Sequence, residues 1–153
     1  MNVSHEMYLG LIRALKRMNI QYIVAPYEAD AQLAYLSRND IVDFVVSEDA
    51  DTLPYGCKRV FYKLDQNGNG EYICLEDLAF NEEIRFTNWT HDMFLYMCIL
   101  CGCDYLPSLP KMGIKKANKY VASGRTSDRI LELIRLDGYP VTKEYGLTFR
   151  VHP

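Results

Sequence analysis

The sequence predicts an α/β fold, with a small parallel sheet in its first part and helices alone after it. Two unbroken apolar runs, Tyr22-Ile23-Val24-Ala25 and Phe44-Val45-Val46, lack the alternation of a half-exposed strand. Strands of parallel sheets, covered on both faces, read this way. Stretches with apolar residues at helical spacing lie between and around them, the pattern that layers helices over a sheet. A hydrophobic share of 49% in 153 residues supplies enough apolar material for a core.

The elements follow in order. Val3, Met7, Tyr8, Leu11, Ile12, Leu15 and Met18 fall at helical spacing and predict an amphipathic helix over 3–18, ended by Asn19. The strand at 22–25 is stopped by Pro26. A helix rich in Ala and Leu is expected over 28–37, with Glu28 and Asp30 in the first turn, where the helix dipole favours acids. The run at 44–46 is the second buried strand. Residues 59–64 are rich in β-formers, and Asn67-Gly68-Asn69-Gly70 separates them from Glu71-Tyr72-Ile73, which reads as a hairpin. Residues 90–101 are apolar almost all round, so this helix is expected to be buried. Pro107, Pro110 and Gly113 then break the chain twice before helices at about 114–123 and 127–136. From Gly138 the sequence is turn-rich and specifies no element.

Composition narrows the function. No apolar run reaches the roughly 20 residues that span a bilayer, and no basic-then-apolar leader opens the sequence, so the expectation is a soluble protein that is not exported. Five cysteines, three of them at Cys98, Cys101 and Cys103, argue for a reducing compartment rather than a disulfide framework. The Asn-x-Ser/Thr matches at Asn2 and Asn88 are then expected to be fortuitous. Net charge is −3, but its distribution is uneven. Acids concentrate between Glu28 and Asp51, whereas Tyr105 to Ser127 contains none and carries Lys111, Lys115, Lys116, Lys119 and Arg125. An acidic and a basic pole in one small domain point to a function that uses both.

In a parallel sheet, sites lie beyond the carboxyl ends of the strands. Glu28 and Asp30 follow the first predicted strand, and Asp49 and Asp51 the second. Each pair alone is explained as well by helix or turn capping. Four carboxylates at adjacent strand ends repel one another unless a cation lies between them. Hard cations such as Mg²⁺ and Mn²⁺ take such ligands, and two ions together serve phosphodiester hydrolysis. Asp104, after the buried helix, is a fifth candidate. The stretch 104–121 reads as a helix–two-turn–helix, where Gly113 opening a helix suits a phosphate oxygen and Lys115, Lys116 and Lys119 add backbone affinity. A solvated lysine face is the plainer alternative.

Three blocks then carry a resemblance: Pro26-Tyr27-Glu28-Ala29-Asp30-Ala31-Gln32-Leu33-Ala34-Tyr35-Leu36, Ser47-Glu48-Asp49-Ala50-Asp51, and Met97-Cys98-Ile99-Leu100-Cys101-Gly102-Cys103-Asp104-Tyr105-Leu106. In order and spacing they resemble the internal region of the flap-endonuclease and xeroderma pigmentosum group G superfamily of 5′ nucleases, over roughly residues 3–136. Gly56-Cys57-Lys58 and the Leu64-Asp65…Gly68-Asn69-Gly70 turn are most similar to its exonuclease 1 branch.

The resemblance implies a PIN-like nuclease core over 1–103, a helix–two-turn–helix region over 104–137 and a tail over 138–153. It implies a two-metal 5′→3′ exodeoxyribonuclease and flap nuclease using Mg²⁺ or Mn²⁺, with Glu28, Asp30, Asp49, Asp51 and Asp104 as ligands. Ser108, Gly113, Lys115, Lys116 and Lys119 would grip duplex DNA. Ser108 and Met112 would hold K⁺, although Cys101 stands where relatives often carry serine. The implied substrate is double-stranded DNA with a 5′ end or flap, the implied setting DNA repair in the nucleus, and mismatch-repair proteins the implied partners. Family members also carry a preceding half with further aspartates and basic arch residues. Its absence from this sequence raises the expectation of an incomplete product, a chain that needs a partner, or a DNA-binding fragment without catalysis.

Two other patterns compete. Asp65 to Glu76 satisfies the EF-hand calcium-loop spacing, yet the β-rich segment before it does not suit the helix that an EF-hand requires. Cys98-x-x-Cys101-x-Cys103 invites zinc, but a second ligand pair is missing, so these are expected to be buried helix cysteines.

Overall fold

The computed structural model describes residues 3–150; Asn2 and His152 lie outside them. Helix α1 spans His5–Arg17, with Ser4 Oγ accepting the Met7 N–H at 3.3 Å. Helix α2 spans Ala29–Arg38. Strands β1 (Val45–Val46), β2 (Arg59–Tyr62) and β3 (Glu71–Cys74) form a three-stranded sheet in the order β1-β2-β3. β1 runs parallel to β2 with Val45 opposite Val60, and β2 pairs antiparallel with β3 from Arg59–Cys74 to Tyr62–Glu71. Helices α3 (His91–Cys101), α4 (Ile114–Gly124), α5 (Ser127–Leu136) and α6 (Lys143–Arg150) complete the chain.

Apolar side chains gather in two clusters. Ala34, Val45, Cys57, Val60 and Tyr62 form the smaller one, between α2 and the sheet. The larger one belongs to the helices: Met93, Leu95, Met97, Ile99 and Leu100 of α3 pack with Ala117 and Val121 of α4, Ile130, Leu131 and Ile134 of α5, and Tyr145 and Phe149 of α6. Each fully buried aliphatic or aromatic side chain contributes roughly 1.5–3 kcal/mol, so the helical cluster is the stronger core. Thr90 Oγ1 caps α3, and Gly102 ends it at φ +105°, a left-handed turn that frees the chain to reverse.

The α/β class, the hairpin and the buried helix agree with expectation, two expectations are corrected, and the competing EF-hand pattern is set aside as its flank suggested. Residues 22–25 form no strand: Tyr22, Ile23 and Val24 are exposed, and a strand exists only where a neighbour accepts its backbone hydrogen bonds. The turn-rich tail contains α6, whose Phe149 is fully buried; eight residues are too few for periodicity to declare a helix. The EF-hand reading fails on both flanks. Asp65 sits at a hairpin end between β2 and β3, its Oδ1 accepting the Asn67 and Asn69 N–H groups at 2.8 Å and its Oδ2 the Asn69 side-chain amide at 3.0 Å. Glu76 lies in a 3₁₀ turn, Leu75–Phe80, lining a different pocket with Trp89 and His91.

Candidate metal centre

All five predicted carboxylates, Glu28, Asp30, Asp49, Asp51 and Asp104, line one cleft of about 650 Å³. They arrive from three places. Glu28 and Asp30 come from the start of α2, Asp49 and Asp51 from the loop after β1, and Asp104 from the turn after α3. The strand expected before Glu28 is therefore not required; the start of α2 delivers the same residues.

The two acidic pairs are held differently. Asp49 does cap its turn, since its Oδ1 accepts the Asp51 N–H at 2.9 Å, and its own N–H donates to Ser47 Oγ at 3.0 Å. Thr52, fully buried, pins this loop from beneath, donating to the Asp49 carbonyl at 2.8 Å and sharing a 2.8 Å hydrogen bond with the Tyr62 hydroxyl. Gly56 closes the loop at φ +98° with Arg38 and His91 against it, a conformation and a space that fit glycine. Glu28, by contrast, stands at the N-cap of α2 without using its side chain as a cap. Its Oε2 instead accepts the Tyr55 hydroxyl at 3.0 Å.

Burial first, and like charge after it, set the electrostatics of the cleft. Partial burial raises the Asp30 carboxyl above the ordinary aspartate range, and the charges of Asp49, Asp51 and Glu28 raise it further. Asp51 is raised by burial and then by Asp49 and Asp104. Burial, the bond to Glu28 and the surrounding carboxylates push the Tyr55 hydroxyl up to about 12. These groups destabilise one another's ionised forms, and a cation between them removes that cost. Among the described residues no three acidic, cysteine or histidine side chains close into a ready protein cage. Open sets of this kind fit Mg²⁺, which usually takes one or two carboxylates and completes its octahedron with water and phosphate.

Residues that sequence reasoning did not assign to the site also line it. Tyr55, Tyr105, Cys98, Cys101 and Cys103 form part of the wall; the three cysteines are half-buried, packed against the helical core on one side and lining the cleft on the other, and all are free thiols. Burial pushes Cys98 up to about 12 and raises Cys101, which disfavours the thiolate at both. The clustering of three cysteines before Asp104 was the available signal; Tyr55 had none beyond lying four residues after Asp51.

The basic segment lies beside the cleft and not in it. Ile114, the first residue of α4, lines the cleft, while Ser108, Met112, Gly113, Lys115, Lys116 and Lys119 do not. Ser108, Gly113 and the three lysines are exposed, whereas Met112 is buried. Ser108 packs against Gly102, where a Cβ would meet its backbone nitrogen at 3.1 Å. Lys116 donates to the Tyr139 hydroxyl at 3.2 Å and lies over that ring, so it is anchored to the segment after α5. Gly113 has open space around it and no steric need for glycine.

The sequence matches the XPG I-region family over residues 19–104, more than half of the chain. It is 40% identical to exonuclease 1 of Oryza sativa subsp. japonica over 149 residues, which cover 97% of this chain and 18% of that relative. The fold superposes on flap endonuclease-1 from Methanococcus jannaschii with a TM-score of 0.73 and 27% identity, covering 97% of this chain and 44% of that one. It also matches the Holliday junction-resolving enzyme GEN1 in complex with product DNA and a Mg²⁺ ion, at a TM-score of 0.65 and 26% identity, over 90% of this chain and 36% of that one. The chain thus spans less than half the length of each. With its matched region running from the end of α1 through the carboxylates to Asp104, this chain belongs to the XPG I-region family.

Proposed function

We propose that this chain is the carboxylate-bearing internal part of a 5′ nuclease of the exonuclease 1 type, which hydrolyses DNA phosphodiesters with two divalent cations. The convergence of Glu28, Asp30, Asp49, Asp51 and Asp104 on one cleft carries the proposal. Bound Mg²⁺ or Mn²⁺ would supply an activated water and stabilise the leaving oxygen. The protein's share is to hold five carboxylates at the cleft and to keep Asp49 and Asp51 on a loop pinned by Thr52. Ser108, Gly113, Lys115, Lys116 and Lys119, on and before α4, would take the duplex backbone beside the cleft, with K⁺ held near Ser108 and Met112. The stretches 1–103, 104–137 and 138–153 are divided by task rather than by packing, because α3 shares its core with α4, α5 and α6. Double-stranded DNA with a 5′ end or flap is the proposed substrate, and the nucleus the proposed setting, with mismatch-repair proteins as partners.

Digestion of a labelled, 5′-recessed duplex in Mn²⁺ tests this. Metal-dependent products from the chain that vanish with Asp51→Asn are the expected outcome. Duplex binding without products from either protein would favour a DNA-binding fragment without catalysis, and would withdraw activity from this chain while leaving its family membership intact.

A further inference from the structure

Tyr55 connects two of the loops that carry the cleft's carboxylates. Its hydroxyl donates to Glu28 Oε2 at 3.0 Å, and its backbone N–H donates to the Asp51 carbonyl at 3.0 Å. Asp51 is in turn bonded through its own N–H to Asp49 Oδ1. Glu28 has no other hydrogen bond to its side chain among the described residues, because it does not cap α2. A glutamate at a helix start loses much rotamer freedom when it is ordered. The Tyr55 hydroxyl is the group that orders this one before any cation arrives. A phenylalanine would fill the same half-buried volume without that bond, so the hydroxyl has a role separable from packing.

We propose that Tyr55 is a positioning residue of the carboxylate cleft, its hydroxyl fixing Glu28 through Oε2 and leaving Oε1 to take a divalent cation. Groups that orient a ligand from behind are known to change metal affinity by about 10–100-fold when removed. The inference rests on the cleft being a metal site, and the test separates the two.

Mn²⁺ affinity is measured from the free-ion electron paramagnetic resonance signal on the 153-residue chain, on Tyr55→Phe, on Glu28→Ala and on the double variant, with melting temperatures alongside. The expected result is a Mn²⁺ affinity about 10-fold weaker in Tyr55→Phe at an unchanged melting temperature. In the Glu28→Ala background, Tyr55→Phe is expected to change nothing further. Equal affinity in Tyr55→Phe and the unsubstituted chain would overturn the positioning role while leaving the metal site standing. A loss of the same size in both backgrounds would overturn it too, since Tyr55 would then act through packing. No Mn²⁺ binding by the unsubstituted chain would remove the metal site and the role of Tyr55 together.

Discussion

Asp30 and Asp51 are the residues in which the cost of the site is visible. Both carboxyls are raised, first by burial and then by their acidic neighbours. A group whose folded pKa lies above its unfolded value binds its proton more tightly when folded. Its contribution to stability is therefore full below the unfolded value of 3.8 and is lost as pH rises through the raised value. The ionised forms carry the repulsion. Asp30→Asn should accordingly raise the melting temperature of the metal-free protein at pH 7, by about 1–2 °C for partly solvated charges in a chain of this size. Mn²⁺ should raise the melting temperature of the unsubstituted chain by mass action, and that of Asp30→Asn by less. Differential scanning calorimetry with and without Mn²⁺ checks both signs; a less stable Asp30→Asn would show that Asp30 holds structure rather than a cation.

At the scale of elements, α3 and α6 show how differently two helices declare themselves. α3 is apolar on nearly every side and is buried on nearly every side, as its composition required. α6 is short, Gly138 and Pro140 precede it and Gly146 lies within it, so propensity argues against it. It forms because the core needs its aromatic pair: Phe149 stacks at 6.5 Å on Tyr145 and lies 5.4 Å from the ring of Tyr96 on α3. Arg150 then ties it to Asp128 of α5. Tertiary packing here overrides a weak local signal, the ordinary reason for such helices. Phe149→Ala should cost about 3–5 kcal/mol, read as a lower urea midpoint at an unchanged slope. A loss below 1 kcal/mol would mean that α6 is an ornament on the core rather than a part of it.

For the whole molecule, the amphipathic pattern of α1 has no counterpart in packing. None of its residues is buried, with Met7 at 51% and Leu11 at 58% exposure. Tyr22, Ile23, Val24, Phe44 and Val46 are exposed as well, and β1 is an edge strand. Leu11→Ala should therefore change stability by no more than about 0.5 kcal/mol, the range of surface substitutions. The same urea titration that registers Phe149→Ala should hardly register it, and a loss of several kcal/mol would show that α1 packs in solution.

The sequence by itself determined the class of the fold, the hairpin and the buried α3, because these depend on period and turn chemistry, and it nominated five acids that only the fold brings to one cleft. It could also separate an acidic from a basic pole, since charge is legible without coordinates. Only the tertiary structure decided that 22–25 is not a strand, that α6 exists and that the three cysteines face the cleft. It alone brought Tyr55 to Glu28, a contact across 27 positions. Pairing, packing and long-range hydrogen bonds depend on which distant residue stands opposite, and no local pattern encodes that.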